Sequence, residues 1–220
     1  DEFSSEEYID VYLAYAEFFY ILGEPEIFIA RWEALVQEAD RIGDLPRKAK
    51  LLAFTLLYYA EFISTEYYDF LNKHVRPVIE DINRLNDPMI VGFINLGQGR
   101  YYTKQRDGIK ATEFLNRASV AFMKAARSAW RMYSNIEYAK ALLDLKMVQE
   151  AADILNRIDE NVDRYQILLV WLMEAKGQFH NCLAQNDEAR IAFEQSIDFA
   201  KKFGLKRRTE TLKTYLDMFP

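Results

Sequence analysis

Covalent or acid–base chemistry in this chain would fall first to His74, His180 and Cys182, its only two histidines and its single cysteine. A thiol nucleophile needs an imidazole within hydrogen-bond reach. His180 and Cys182 stand two residues apart, which on a helix turns them to different sides, so they make no local nucleophile and base pair. Neither histidine has a glutamate three residues before it, and the helix-bundle di-metal pattern is therefore missing. Gly97-Gln98-Gly99 holds two glycines of a dinucleotide fingerprint without the third and without a strand before it, so close helix packing explains it better. No phosphate loop or serine elbow occurs. Glu6 and Asp10, one turn apart, read as a solvated acidic face, and His180 reads as a packing residue. The sequence predicts no enzyme, no cofactor and no metal ion.

What remains is binding chemistry, and charge bounds its partners. The chain of 220 residues carries a formal net charge of −6, with 50% apolar and 28% charged residues. Residues 1 to 44 hold twelve acids against Arg31 and Arg41, while 201 to 213 hold six cations against Glu210. An acidic head and a basic tail predict either a self-associating scaffold or simple placement of Lys201 and Lys202 at the negative end of a helix. Lys206-Arg207-Arg208 is basic, but the acidic whole argues against direct nucleic-acid binding. No apolar run reaches the ~18 residues of a membrane span. A lone cysteine cannot close an internal disulfide, so a reducing, cytoplasmic setting is expected. The chain starts at Asp1 without a methionine, and its natural beginning is expected to be cut away, any targeting segment with it.

The elements that position these residues are helices. Only eight glycines and five prolines punctuate the chain, too few for the turns of a β-sandwich and enough for long helices on short corners. Ser4-Ser5-Glu6-Glu7 is a helix start, Gly23-Glu24-Pro25 a stop and restart, Asn86-Asp87-Pro88 a cap, and Gly204 an end. The second helix is predicted over 25–42, the fourth over 64–85 with a break near Arg76 imposed by Pro77, and the ninth over 161–184. The whole reads as hairpins over 6–43, 46–85, 88–126, 128–158 and 161–203, closed by a capping helix over 205–218. Four of them repeat a sparse pattern beginning at Ala16, Gly99, Ala139 and Gly177; the second fits worst, through Thr55, Tyr58, Tyr67 and Leu71. Small residues there, answered by Ala111, Ala151 and Ala189, let paired helices approach. Bulky ones (Phe19, Tyr102, Leu142 and His180; Trp32, Leu115, Leu155 and Phe193) fill the space between hairpins.

On Gly99-x-x-Tyr102 with Ala111-x-x-x-Leu115-x-x-Ala118, and Gly177-x-x-His180 with Ala189-x-x-x-Phe193-x-x-Ser196, the chain resembles the tetratricopeptide repeat family. Asn186-Asp187-Glu188-Ala189-Arg190 through Gly204 is similar to repeats in sensor regions of bacterial transcription regulators. Anchor spacings of 40 (Ala111 to Ala151) and 38 (Ala151 to Ala189) exceed the family's ~34, which means longer helices. The resemblance implies an all-α, right-handed superhelical solenoid of about five hairpins in one domain. It also implies a noncatalytic protein-binding, peptide-binding or ligand-sensing module, the helical part of a larger regulator, with an assembly scaffold as the alternative. By register its groove would present Glu17, Tyr20, Arg100, Lys104, Tyr133, Lys140, Glu174, Gln178 and Asn181. Arg100, Lys104 and Lys140 form a cationic middle in that register, suited to an acidic segment or a carboxylate. The family's carboxylate clamp is not found together here.

Overall fold

A computed structural model describes residues 4–159, 161–217 and 219, and among them every regular element is helical. The elements are α1 (Ser5–Leu22), α2 (Pro25–Ile29), α3 (Trp32–Arg41), α4 (Leu45–Phe62), α5 (Tyr67–Phe70), α6 (Ile79–Leu85), α7 (Pro88–Lys104), α8 (Gly108–Lys124), α9 (Ser128–Asp144), α10 (Val148–Asp159), α11 (Leu169–Cys182), α12 (Asn186–Lys202) and α13 (Lys206–Leu216). Met218, placed at the end of the capping helix by sequence, lies outside the described residues.

The caps are where the residue types put them. The Ser4 hydroxyl accepts the Glu7 amide and the Glu7 carboxylate accepts the Ser4 amide, a reciprocal box that occupies two free donors of α1. Asp87 accepts from Met89 and Ile90 at the start of α7, and Asp44 from Arg47 at the start of α4. Gly23 ends α1 at φ +74°, a conformation open to glycine without a Cβ penalty. Later corners use the same left-handed turn without glycine, at Arg106, Ala126, Lys146 and Ala184.

Three helices depart from the sequence reading. The second splits at Ala30–Arg31 into α2 and α3, because the Tyr12 hydroxyl from α1 donates to the Phe28 carbonyl and approaches that of Ile27 at 3.3 Å, which disturbs the ladder there. The fourth breaks at Arg76 as Pro77 predicts, but over a longer stretch than one residue. Pro77 lacks an amide donor, and the chain takes a π turn over Leu71–Val75 and a 3-10 turn over Arg76–Val78 before α6. The ninth begins as a 3-10 stretch, Val162–Leu168, with Tyr165 non-helical at φ −133° and ψ 58°, so α11 starts only at Leu169.

Helices pack on their chain neighbours, α7 on α8, α8 on α9, α9 on α10, α11 on α12 and α12 on α13. The first members of successive pairs also touch, α4 against α7 and α9 against α11, which makes them one layer. Glycine permits the closest approaches. A Cβ on Gly99 would fall 2.5 Å from the Leu115 side chain of α8, and one on Gly177 would fall 2.7 Å from the Phe193 ring of α12. The glycines therefore face the bulky residue of their own hairpin partner, a correction to the assignment of Leu115 and Phe193 to the space between hairpins. Gly97 faces the opposite way, with a Cβ placed 3.2 Å from the Leu57 amide of α4, so Gly97 and Gly99 bring α7 close to helices on two sides.

The N-terminal helix reaches further than its own hairpin. Glu17 pairs with Arg127 at 2.5 Å and accepts the Trp130 indole N–H at 3.2 Å, while the Tyr20 hydroxyl meets that of Tyr133 at 3.2 Å. Both tyrosines are buried. Burial raises the Tyr20 hydroxyl well above its ordinary range, so it stays a neutral hydrogen-bonding group.

Candidate functional site

Where the C-terminal ends of α1, α4, α7, α9 and α11 come together beside α13, they enclose a cleft of about 1040 Å³. Eight of the nine residues placed in a groove by register line it: Tyr20, Arg100, Lys104, Tyr133, Lys140, Glu174, Gln178 and Asn181. Glu17 does not, being held by Arg127 and Trp130.

The cationic middle is not open as register alone implied. Arg100 is 5% exposed; its Nε donates to Glu61 at 2.9 Å and its Nη1 to the fully buried Glu137. Lys140 contacts Glu137 at 3.3 Å and Glu174 at 3.1 Å, and Glu174 also accepts from Arg208 on α13. Lys104 sits 3.9 Å from the Glu61 carboxylate and donates to its backbone carbonyl. Seven charges thus alternate in sign along one chain, Lys104, Glu61, Arg100, Glu137, Lys140, Glu174, Arg208, crossing α7, α4, α9, α11 and α13. Glu61, Glu137 and Arg208 were missed by sequence reasoning. Their signal was a charged residue on an otherwise apolar helical stripe, as with Glu137 between Tyr133, Ile136 and Ala139.

Burial would raise the Glu61 carboxyl, but Arg100, Lys104 and Arg208 outweigh it and bring Glu61 from an ordinary 4.5 down to about 2. The depressed value means that this carboxylate stabilises the fold fully above pH ~4.5 and progressively less as pH falls toward 2. Of roughly 3 kcal/mol in total, about 2 kcal/mol is expected to vanish between pH 5 and pH 3. Denaturant titrations at those two pH values should show Glu61→Gln losing less stability on acidification than the unaltered chain; equal losses would refute the pairing. Burial, with repulsion from Arg208 and Arg100, pushes the Lys140 ammonium down to about 7. Burial also lowers the Arg208 guanidinium, whose Nε is enclosed without a hydrogen-bond partner.

Beyond the network, the cleft keeps free positive charge. Its lining holds seven cations, Arg100, Lys104, Arg106, Lys140, Lys146, Arg207 and Arg208, against the carboxylates of Glu61, Asp144 and Glu174 in the lining and of Glu137 and Glu26 paired to it, in a chain that is acidic as a whole. Arg106 and Lys146, at the left-handed corners after α7 and α9, form no ion pair among the described residues. Arg207 lies over the Phe62 ring at 5.1 Å and 3.7 Å from Glu26. Tyr133, Trp171 and Tyr215 add aromatic surface to the walls.

The residues with covalent or redox capacity are dispersed. His74 is stacked on Phe70 and edge-on to Trp32, His180 Nδ1 lies 2.8 Å from Gln185 Oε1, and Cys182 is exposed at the cleft edge. No group of three or more metal-ligating side chains occurs among the described residues, and no described helix is long and apolar enough to cross a membrane. Comparison with protein-family models, with curated proteins and with solved structures found no match to the chain.

Proposed function

We propose that this chain is a noncatalytic binding module that holds an anionic segment, an acidic peptide stretch or a carboxylate-bearing ligand, in the cleft. In this reading the helix pairs are long tetratricopeptide-like repeats of a right-handed superhelix, α4, α7, α9 and α11 are its inner wall, and α13 caps its last apolar face. The supporting observation is the surplus of cations in the cleft of an acidic chain, with Arg106 and Lys146 unpaired at its mouth. Guanidinium and ammonium groups beside aromatic walls suit carboxylates attached to an apolar body. Cations at helix C-terminal ends also answer the helix dipole, which alone would need no ligand. The module serves as the sensing part of a larger cytoplasmic regulator.

A scaffold built on opposite terminal charges fits less well, because one head-to-tail pair closes within the chain, Glu26 with Arg207, and two other head acids meet cations elsewhere in it, Asp10 with Arg47 and Glu17 with Arg127. The basic run at 206–208 is likewise no continuous patch, since Arg208 is enclosed with Glu174.

Arg106→Glu combined with Lys146→Glu tests the reading without touching the buried network. A fluorescent peptide of alternating Glu and Leu should bind the unaltered chain and lose at least ~10-fold in affinity on the double variant, with the melting temperature nearly unchanged. Equal binding of that peptide by the two proteins would refute anion capture in this cleft.

A further inference from the structure

The N-terminal helix carries a second apolar stripe that nothing among the described residues covers. Ile9, Tyr12, Ala16 and Tyr20 face inward and are buried. Tyr8, Val11, Tyr15 and Phe18 face outward, between 42% and 55% exposed. Isolated exposed apolar residues are ordinary, but these are consecutive positions of one face, and Ile27 across the corner, 46% exposed, extends them. Tyr8, Val11, Tyr15 and Ile27, with Tyr12, Phe19, Ala30 and Arg31, border a groove of about 490 Å³ between α1 and the α2–α3 segment, and Phe18 continues the stripe beyond it.

Spacing and charge identify what fits. The stripe runs 8, 11, 15, 18, alternating three and four residues, the seam by which one helix packs along another. An extended peptide would not match that period. The seam is bordered by acid: Glu7 stands one turn before Val11, and Glu24 and Glu26 flank the corner beside Ile27. Glu6, Glu7, Glu24 and Glu33 are exposed and form no ion pair among the described residues. Arg31, the one cation lining the groove, is tied to the Tyr8 hydroxyl at 3.0 Å. A second copy offering the same stripe would bring acid against acid, and α13 at the other end exposes lysines rather than apolar side chains.

From this we infer that the outer face of α1 docks a cationic amphipathic helix from a partner protein, with apolar residues at three–four spacing seated on Tyr8, Val11, Tyr15 and Phe18 and lysines or arginines facing Glu7, Glu24 and Glu26. This surface is separate from the cleft and opposite to it in charge preference, so failure of either leaves the other standing.

The probe is a synthetic Leu and Lys helix of about 18 residues with leucines at that spacing. Its control is the same composition with leucines scattered round the helix. The full chain should bind the first at least ~10-fold more tightly than the control, and Val11→Lys with Tyr15→Lys should abolish the difference. Glu24→Lys, at an exposed position outside the stripe with no ion pair among the described residues, should weaken the same peptide and gives a second readout if the first variant folds poorly. Indifference to both variants overturns the proposal. So does sedimentation of the unaltered chain as a dimer that Val11→Lys with Tyr15→Lys converts to monomer, since a second copy then occupies the face.

Discussion

Replacing Arg100 with alanine is expected to lower the unfolding free energy by about 3–5 kcal/mol, the range seen when one partner is deleted from a buried ion pair. The size comes from what is left behind. Glu137 is fully buried and would keep only Lys140 at 3.3 Å, while Glu61 would keep Lys104 at 3.9 Å. An enclosed carboxylate that has lost its closest guanidinium bears its desolvation penalty uncompensated. The exposed Arg117–Glu113 pair on α8 is the control, and Arg117→Ala should leave the denaturation midpoint almost in place. Urea titration of both variants decides the matter: a loss below about 1 kcal/mol for Arg100→Ala would mean that water reaches the network and that its members act as separate surface pairs. The charge-reversal experiment that register alone would recommend at Arg100 and Lys140 is a stability experiment for the same reason. Arg106 and Lys146 are the positions for probing binding.

The second large effect is steric. Gly99→Val should cost about 3 kcal/mol, because its first added carbon would already sit 2.5 Å from the Leu115 side chain, in a core with no void to receive it. Gly99→Ala should cost less, since alanine recovers about 1 kcal/mol of helix propensity. Leu115→Ala alone should cost about 2–5 kcal/mol. The informative measurement is the double variant Gly99→Val with Leu115→Ala, whose loss should fall short of the sum of the singles by roughly 1–3 kcal/mol as the new methyls occupy the vacated space. Strict additivity would show that α7 and α8 do not meet through this small and large pair.

How far the fold could be read from sequence follows from which interactions are local. The Ser4 and Glu7 box, the Asp87 cap, the Gly204 end and the Pro77 disruption depend on residues within a turn of each other, and each was recognisable. The break at Ala30–Arg31 depends on a hydroxyl sixteen residues before Phe28, and the irregular start of α11 at Tyr165 has no glycine or proline to mark it. Corners at Arg106, Ala126, Lys146 and Ala184 adopt positive φ without glycine, so the usual punctuation is missing from those four turns. For the cleft, helix register brought eight of the nine residues to one place. Register carries no information on partners 37 or 39 residues away, and so it left Arg100 looking free when Glu137 and Glu61 hold it. The crossing of α1 onto α9 was illegible for the same reason, because Tyr20 and Tyr133 are separated by 113 residues.

The alternating charges bear on how the helices slide. Sliding α9 by one turn, about 5.4 Å, would withdraw Glu137 from Arg100 and bring up Lys140, three residues on, so attraction would become repulsion. Leucine and alanine surfaces tolerate such slippage more readily, since one apolar turn resembles the next. The ladder of ions thus works as a vernier for α4, α7, α9 and α11, penalising the misaligned stacks that successive helix pairs could otherwise form while folding.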